Sequence, residues 1–354
     1  MESTNVAGHD IIVMGASAGG VEALVTIVRQ LPPDLPAAVF VVLHIPANGG
    51  SQLAAILNRA SPLTAVNPED GETIRHGHIY VAPPDMHLLV EHGRVRVVHG
   101  PKENRHRPAV DPLFRTAAVA YGPRVVGVVL TGSLDDGTAG LHAIKRRGGV
   151  AIVQDPDEAL YPGMPLSALT NVDVDYRLSL TEIPHLLTRL AGEPAPDEGG
   201  YPVPDDLNYE ARMSMLDLEA LNAGVQGGVP SAFSCPECGG VLHEMTEDHL
   251  VRFRCRVGHA YSPDSVLAEQ DETLEEALWS ALKTLEESMQ LSQRLAEGAR
   301  RNGHTHAAAR FEQKIQENKV RVDLLRRVLL GSVVKPEEDA NHRPEPTGAQ
   351  PAAD

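Results

Sequence analysis

Ser17 ends an apolar run, Ile11-Ile12-Val13-Met14-Gly15-Ala16, and is followed by Ala18-Gly19-Gly20 and a segment patterned as helix, residues 21–31. A serine on so tight a strand-to-helix turn has its hydroxyl pushed out of the fold. Backbone N–H groups at the helix start then face whatever sits there, which suits an anion or a developing oxyanion. A serine hydroxyl is a weak nucleophile until an imidazole takes its proton, and the imidazole needs a buried carboxylate to fix its tautomer. The chain offers both at comparable places: His44 closes the apolar run 38–44, and Asp136 follows the run 124–131. Each has a plainer reading. Serine among glycines commonly only caps a helix, His44 before Ile45-Pro46 could be an ordinary satisfied histidine, and Asp136 could be a cap with Asp135 competing for any role. Together, at three strand ends, they read as nucleophile, base and orienting carboxylate.

Hydrophobic patterning predicts the elements that must carry them. Residues 10–14, 38–44, 78–82, 124–131, 149–154 and 172–176 read as strands. Residues 21–31, 52–59, 111–120, 136–147, 164–169 and 180–190 read as helices, and 86–90 with 94–98 as a hairpin across Glu91-His92-Gly93. The continuous apolar run 38–44 is what a strand buried on both faces requires. Such alternation predicts an α/β fold with a doubly wound, mostly parallel sheet, Rossmann-like, and helices on both faces. In that architecture ligand groups gather beyond the carboxyl ends of the strands. Ser17, His44 and Asp136 would share that rim.

Composition narrows the classes. The 354 residues are 42% apolar but only 4% aromatic, so the core must rest on Val, Leu, Ile and Ala. A formal charge of -17 argues against a nucleic-acid partner. No apolar run approaches the roughly 20 residues that span a bilayer, and no signal peptide precedes Ile11, so no membrane insertion and a cytoplasmic location are expected. Three cysteines cannot build a disulfide framework. The Gly-Ala-Ser-Ala-Gly-Gly turn also invites comparison with short-chain dehydrogenases, but those need a tyrosine with a lysine four residues on. None of the seven tyrosines has one, and G-x-G-x-x-G is missing.

Gly15-Ala16-Ser17-Ala18-Gly19-Gly20, His44-Ile45-Pro46, Tyr80-Val81-Ala82-Pro83, Asn104-Arg105-His106-Arg107-Pro108 with Asp111, Leu130-Thr131-Gly132 with Asp136-Gly137, and Gly163-Met164-Pro165 occur in this order. Together they resemble the catalytic domain of the chemotaxis protein-glutamate methylesterases, the CheB family, over about residues 11–190. The resemblance implies hydrolysis of glutamate γ-methyl esters on chemoreceptor signalling helices with release of methanol, and in many members deamidation of receptor glutamines. It implies Ser17 as nucleophile, His44 as base and Asp136, not Asp135, as orienting carboxylate, with backbone amides near Ala18 and Ser133 holding the oxyanion and no cofactor for catalysis. Two departures stand out. Only residues 1–9 precede the first strand, so a receiver domain is not expected, and control would fall to a separate response regulator or sensor kinase or to the C-terminal modules. The family's Thr-Gly-Met-Gly stretch reads Thr131-Gly132-Ser133-Leu134 here. Asn104, Arg105 and Arg107 are expected to brace a loop rather than to meet the acidic receptor helix.

The expected domains are a catalytic domain over 1–192, a Pro-, Gly- and Asp-rich linker over 193–232 with 206–222 helical, a zinc-knuckle module over 233–263, a helical hairpin over 264–331 and a disordered tail over 332–354. Cys235 and Cys238, sixteen further residues, then Cys255 and His259 have zinc-ribbon spacing. Four protein ligands would leave no open position, so a structural zinc is expected, with His243 and His249 as substitutes for His259 and a redox Cys-x-x-Cys as the competing reading. Leu274, Leu278, Ala281, Leu285, Met289, Ser292 and Leu295 form a near-heptad stripe, continued by Phe311, Ile315, Val322, Leu325 and Leu329. The expectation from a different class is a catalytically quiet signalling adaptor that binds receptors or kinases through its C-terminal part.

Overall fold

Seven of the eight apolar runs and their intervening helices assemble as the patterning requires. The structure, a computed structural model, describes residues 8–48, 52–224 and 228–331. In chain order the first part runs β1 (Ile11–Ala16), α1 (Gly20–Val28), β2 (Ala38–Leu43), α2 (Leu53–Ala60), β3 (Thr64–Val66), β4 (His78–Val81), β5 (His87–Glu91), β6 (Arg94–Val98), α3 (Val110–Tyr121), β7 (Val125–Val129), α4 (Thr138–Arg146), β8 (Val150–Gln154), α5 (Gly163–Asn171), β9 (Tyr176–Leu178) and α6 (Ile183–Gly192). Seven strands form one sheet in the order β3-β4-β2-β1-β7-β8-β9, every pair parallel; β5 and β6 pair as the expected hairpin.

All six residues of β1 and of β2 are buried, as a central strand with two covered faces demands. Because side chains alternate across a strand, Ile12, Met14 and Ala16 join Val39, Val41 and Leu43 under α1, α2 and α6. Ile11 and Val13 join Phe40 and Val42 under α3, α4 and α5. The topology reverses at β1, with β2 on one side and β7 on the other. The crevice beyond their carboxyl ends is where such sheets bind ligands.

Three expectations need correction. Strand β3, a three-residue edge strand, was not predicted: too few alternating residues mark it. The last strand lies at Tyr176–Leu178 rather than 172–176, because the Val172 amide still caps α5 by donating to Ala168 O. The stretch expected as a linker is partly folded, with α7 (Asp205–Ser214), α8 (Leu218–Ala223) and the start of β10 (Val229–Ser234). Helix α7 packs on α3 and buries Glu210.

Beyond it, β10, β11 (Val241–Glu247), β12 (Leu250–Cys255) and β13 (Ala260–Tyr261) form a four-stranded antiparallel ribbon. Its core is small: Leu242, Phe253, Tyr261 and Val266 beside Cys235 and Cys255. A buried ion cluster ties it to the sheet domain. Arg115 of α3 lies 2.7 Å from Glu103 and 3.5 Å from Glu210; Arg252 and Arg254 of β12 lie 2.5 and 3.5 Å from Glu210, and Arg252 also pairs with Glu247. Burial would push the Glu210 carboxyl up, but the three guanidinium charges outweigh it and hold it low.

The described residues fall into two compact units, 8–269 and 270–331. Helix α9 (Pro263–Arg301) begins in the first, and α10 (Thr305–Gly331) lies in the second. In the second unit Leu282, Val322 and Leu329 pack with Leu278, Leu285, Met289 and Leu325. Most of the expected stripe is inside, but Leu282 is buried where Ala281 was expected and Ala296 where Leu295 was, and Leu274 is exposed. Arg326 of α10 pairs with Glu286 of α9 at 2.6 Å. The tail expected at 332–354 lies outside the described residues.

Glu210→Ala would leave three buried guanidinium groups short of a partner. Its unfolding free energy in denaturant titration is expected to fall by about 3–5 kcal/mol. A loss under ~1 kcal/mol, the range of exposed ion pairs, would mean that the cluster contributes little.

Candidate active site and a four-donor cluster

The three strand-end residues converge. Gly19, at φ 75, makes the tight turn from β1 into α1. The turn is tied to the loop after β7, with Ser17 N donating to Thr131 O at 3.0 Å and Thr131 Oγ1 donating to Ala18 O at 3.0 Å. Gly132 runs so close beneath that a Cβ there would sit 2.8 Å from Ser17 Cβ and 2.1 Å from Met164 Sδ. No side chain fits at that position. His44 N donates to Ala16 O at 3.1 Å, which places the imidazole beside the serine turn.

His44 Nε2 lies 2.7 Å from Asp136 Oδ2, with side-chain exposures of 5% and 2%. A carboxylate can only accept, so Nε2 carries the proton and Nδ1 keeps its lone pair. That Nδ1 is buried and has no hydrogen-bond partner. Ser17 and His44 line the same cleft, of about 690 Å³, with Glu22, Pro46, Lys102 and His106. Serine and imidazole share the cleft without a closed hydrogen bond, and in resting enzymes this bond is commonly the one that tightens only with substrate.

Asp136 is held on all sides. Beyond His44 it accepts from Val110 N (2.6 Å), Asp111 N (3.1 Å) and Asn104 Nδ2 (3.0 Å). The first two are free amides at the start of α3, where a negative charge is favoured. Burial would raise this carboxyl, but the His44 bond and charge, the Val110 amide and Asn104 outweigh it and hold it well below the usual range. Asp135 points elsewhere, accepting from Ser262 Oγ at 2.7 Å and Ser265 Oγ at 3.3 Å.

Three neighbours were not assigned such positions from sequence. Asn104, His106 and Asp111 were visible only as members of a motif, and the role of His106 was not foreseen. Its ring stacks on His44 at 3.6 Å and 12°. Burial, with the nearby His44 charge, drives His106 down to about 3, so it lies against the base as a neutral plate. Asp111 accepts from the Gly137 and Gly140 amides and from Asn104. Burial and the adjacent Asp136 charge push it up to about 8. The cleft cations are braced by acids: Lys102 pairs with Glu237 (2.6 Å), Arg107 with Asp85 (2.6 Å) and Arg105 with Glu269 (2.5 Å).

Among the described residues, neither the Ala18 nor the Ser133 amide donates to a protein acceptor. Leu134, where the resemblance has glycine, adopts φ 60. The loop keeps a left-handed residue there at a cost of about 1–2 kcal/mol.

A second cluster lies in the ribbon. One donor atom from each of Cys235, Cys238, Cys255 and His259 falls within 4.8 Å of the others, and the cysteines form no disulfide. Cys238 Sγ and Cys255 Sγ are 3.7 Å apart, and His259 Nδ1 is 3.6 and 3.5 Å from Cys235 and Cys255. A tetrahedral zinc with Zn–S of about 2.3 Å and Zn–N of about 2.0–2.1 Å requires separations of about 3.8 and 3.6 Å. The donors therefore fit such an ion. The proposed substitutes lie apart from it: His249 Nε2 binds Asn171 O, and His243 is not among the four donors.

A serine on a strand-to-helix turn, beside an imidazole fixed by a buried carboxylate at the switch point of a parallel sheet, defines a serine-hydrolase class of site. The CheB methylesterase family model matches residues 12–187. A putative protein-glutamate methylesterase/protein-glutamine glutaminase of Leptospira interrogans is 40% identical over 183 residues, 51% of this chain and 95% of that protein. A protein-glutamate methylesterase/protein-glutamine glutaminase of Hydrogenovibrio crunogenus is 40% identical over 186 residues, 51% of this chain and 49% of its own length. The crystal structure of the Thermotoga maritima CheB methylesterase catalytic domain superposes with a TM-score of 0.50 at 38% identity, covering 52% of this chain and all of that one. The chain belongs to the CheB methylesterase family.

The raised Asp111 carboxyl sets a sign for pH dependence. The native state keeps a proton that the unfolded chain gives up near pH 4, so this group's stabilisation is full below about pH 4 and is lost as pH rises through about 8. Urea unfolding followed from about pH 5 to 9 is expected to show that decline in the wild type and a flatter profile in Asp111→Asn. Parallel profiles would contradict the shift.

Proposed function

We propose that the chain is a protein-glutamate methylesterase that hydrolyses γ-methyl esters on chemoreceptor signalling helices, and deamidates receptor glutamines by the same route. The observation that carries this is the His44–Asp136 pair at 2.7 Å, with a bare, buried Nδ1 in the cleft that Ser17 lines. A quiet adaptor would have no reason to keep a buried carboxylate on four donors.

In this reading Ser17 Oγ attacks the ester carbonyl while His44 Nδ1 takes its proton, and Asp136 stabilises the imidazolium that forms. The amides of Ala18 and Ser133 hold the tetrahedral oxyanion. His44 then returns the proton to the methoxy oxygen, methanol leaves, and a glutamyl ester remains on Ser17. Water, deprotonated by His44, attacks that ester and releases the glutamate with Ser17 reprotonated. With glutamine the same steps expel ammonia. The cleft suits a side chain presented on a protein surface: exposed Leu160 and Tyr161 lie beside the serine turn, Leu160 3.2 Å from where a Gly19 Cβ would sit. Control through a separate response regulator or sensor kinase belongs to the same reading.

The four-donor cluster is read as a structural zinc site. Four protein ligands leave no coordination position for water, and a ribbon core of four apolar side chains needs a metal to fold. Among the described residues no helix is long and apolar enough to cross a membrane.

Ser17→Ala is expected to fold with an unchanged circular dichroism spectrum and to release no methanol from methylated receptor. A variant as active as wild type would remove Ser17 from the mechanism. Metal analysis of protein purified under reducing conditions without chelator is expected to find about one zinc per chain, and a Cys238→Ser variant is expected to hold markedly less. Metal-free wild type would overturn the zinc assignment.

A further inference from the structure

Besides the Ser262 and Ser265 bonds to Asp135, the ribbon reaches the catalytic residues through the loop at 102–104. Lys102 O accepts from Ala260 N at 3.3 Å and Asn104 N donates to Ala260 O at 2.8 Å, so residues 102–104 run as an extra parallel partner of β13. Ala260 directly follows the donor His259. Asn104 Oδ1 accepts from Ser262 N at 3.0 Å, and its Nδ2 donates to Asp111 at 2.8 Å and to Asp136 at 3.0 Å. Asn104 is 5% exposed. Both it and Arg105 stand in the left-handed region, at φ 48 and 73. Two consecutive non-glycine residues there cost about 1–2 kcal/mol each and persist only where neighbours over-determine them. Those neighbours come from the ribbon and from the start of α9 just after it: Ala260 on the backbone, Ser262 on the Asn104 side chain, Glu237 on Lys102, Arg254 on Glu103 and Glu269 of α9 on Arg105.

We propose that the Cys235–Cys238–Cys255–His259 module is a metal-dependent brace on the active site: with a tetrahedral divalent cation such as zinc bound, Ala260 and Ser262 fix Asn104, and Asn104 fixes Asp136 against His44. Asn104 is thus a positioning residue, and metal occupancy sets esterase competence. The cation joins both ends of the turn 255–259 to the knuckle at 235–238. Its loss frees Ala260 and Ser262, the turn at Asn104 and Arg105 relaxes, and Asp136 loses the amide that orients one of its oxygens. The inference rests on the esterase and zinc readings above.

The test uses the full chain, zinc-loaded, stripped with chelator under reducing conditions, and reloaded. It follows zinc content, kcat and KM for methanol release, and the downfield proton NMR signal of His44 Nε2–H, which reports the His44–Asp136 bond whether or not the protein is an esterase. Stripping is expected to abolish or broaden that signal and to lower kcat on the order of 10²-fold with KM little changed, and zinc is expected to restore both. Asn104→Ala is expected to show the same losses while still holding zinc, and to respond no further to stripping. The proposal is overturned if signal and kcat survive stripping, if Asn104→Ala keeps both, or if the variant loses as much on stripping as the wild type does. Should stripping unfold the sheet, as circular dichroism would show, zinc-loaded Asn104→Ala decides alone. A loaded wild type with the signal but no methanol release would refute the esterase reading and leave the brace standing.

Discussion

A charge held out of water at the amino end of α3 is the constraint from which the site follows. An isolated buried carboxylate costs several kcal/mol, so Asp136 stays ionised only where every lone pair is met. Its four donors come from different parts of the chain: the helix amides of Val110 and Asp111, the Asn104 side chain and His44. Meeting that demand brings three loops to one point. Once they meet, the tautomer of His44 follows without further help.

The sheet supplies the rest. Because β1, β2 and β7 are adjacent and parallel, their carboxyl-end loops leave on the same side, and Ser17, His44 and Asp136 need only short excursions to share a cleft. The approach of Gly132 to Ser17 and the left-handed Leu134 show how little slack the loop after β7 has. Asp111 and Asp136 are buried side by side; burial and the Asp136 charge push the Asp111 carboxyl up, while the His44 bond and the amides hold Asp136 low.

The parts legible in the sequence were those with strong periodicity or spacing. Central strands such as β2 announce themselves as unbroken apolar runs, and the ligand spacing of Cys235 to His259 is set by the knuckle geometry. The choice of Asp136 over Asp135 came from motif position; in the structure Asp136 pairs with His44, and Asp135 accepts from Ser262 and Ser265. What stayed hidden was burial by charge. Helix α7 was expected only as a helical stretch of a polar linker, and an apolar-pattern reading has no way to see that Glu210, buried beside Leu207 and Met213, docks it on arginines. Asn104 and His106 were equally mute: an amide and a second imidazole acquire roles only from neighbours far away in the chain. The hairpin stripe held except at single positions such as Ala281 and Leu282, which both satisfy a loose heptad, so that packing alone chooses between them.

The shared arginine and glutamate cluster also governs how the first unit comes apart. Arg115 belongs to the sheet domain, Glu210 to the stretch after it, and Arg252 and Arg254 to the ribbon, yet none can be desolvated without the others. Peeling the ribbon away would strand charge on both torn surfaces, so partial opening at that seam is disfavoured relative to complete melting. Residues 193–269 are therefore part of the cooperative unit that holds the enzyme together, and a cation held by the four donors in the ribbon would raise the melting temperature of a seven-stranded sheet that it does not touch.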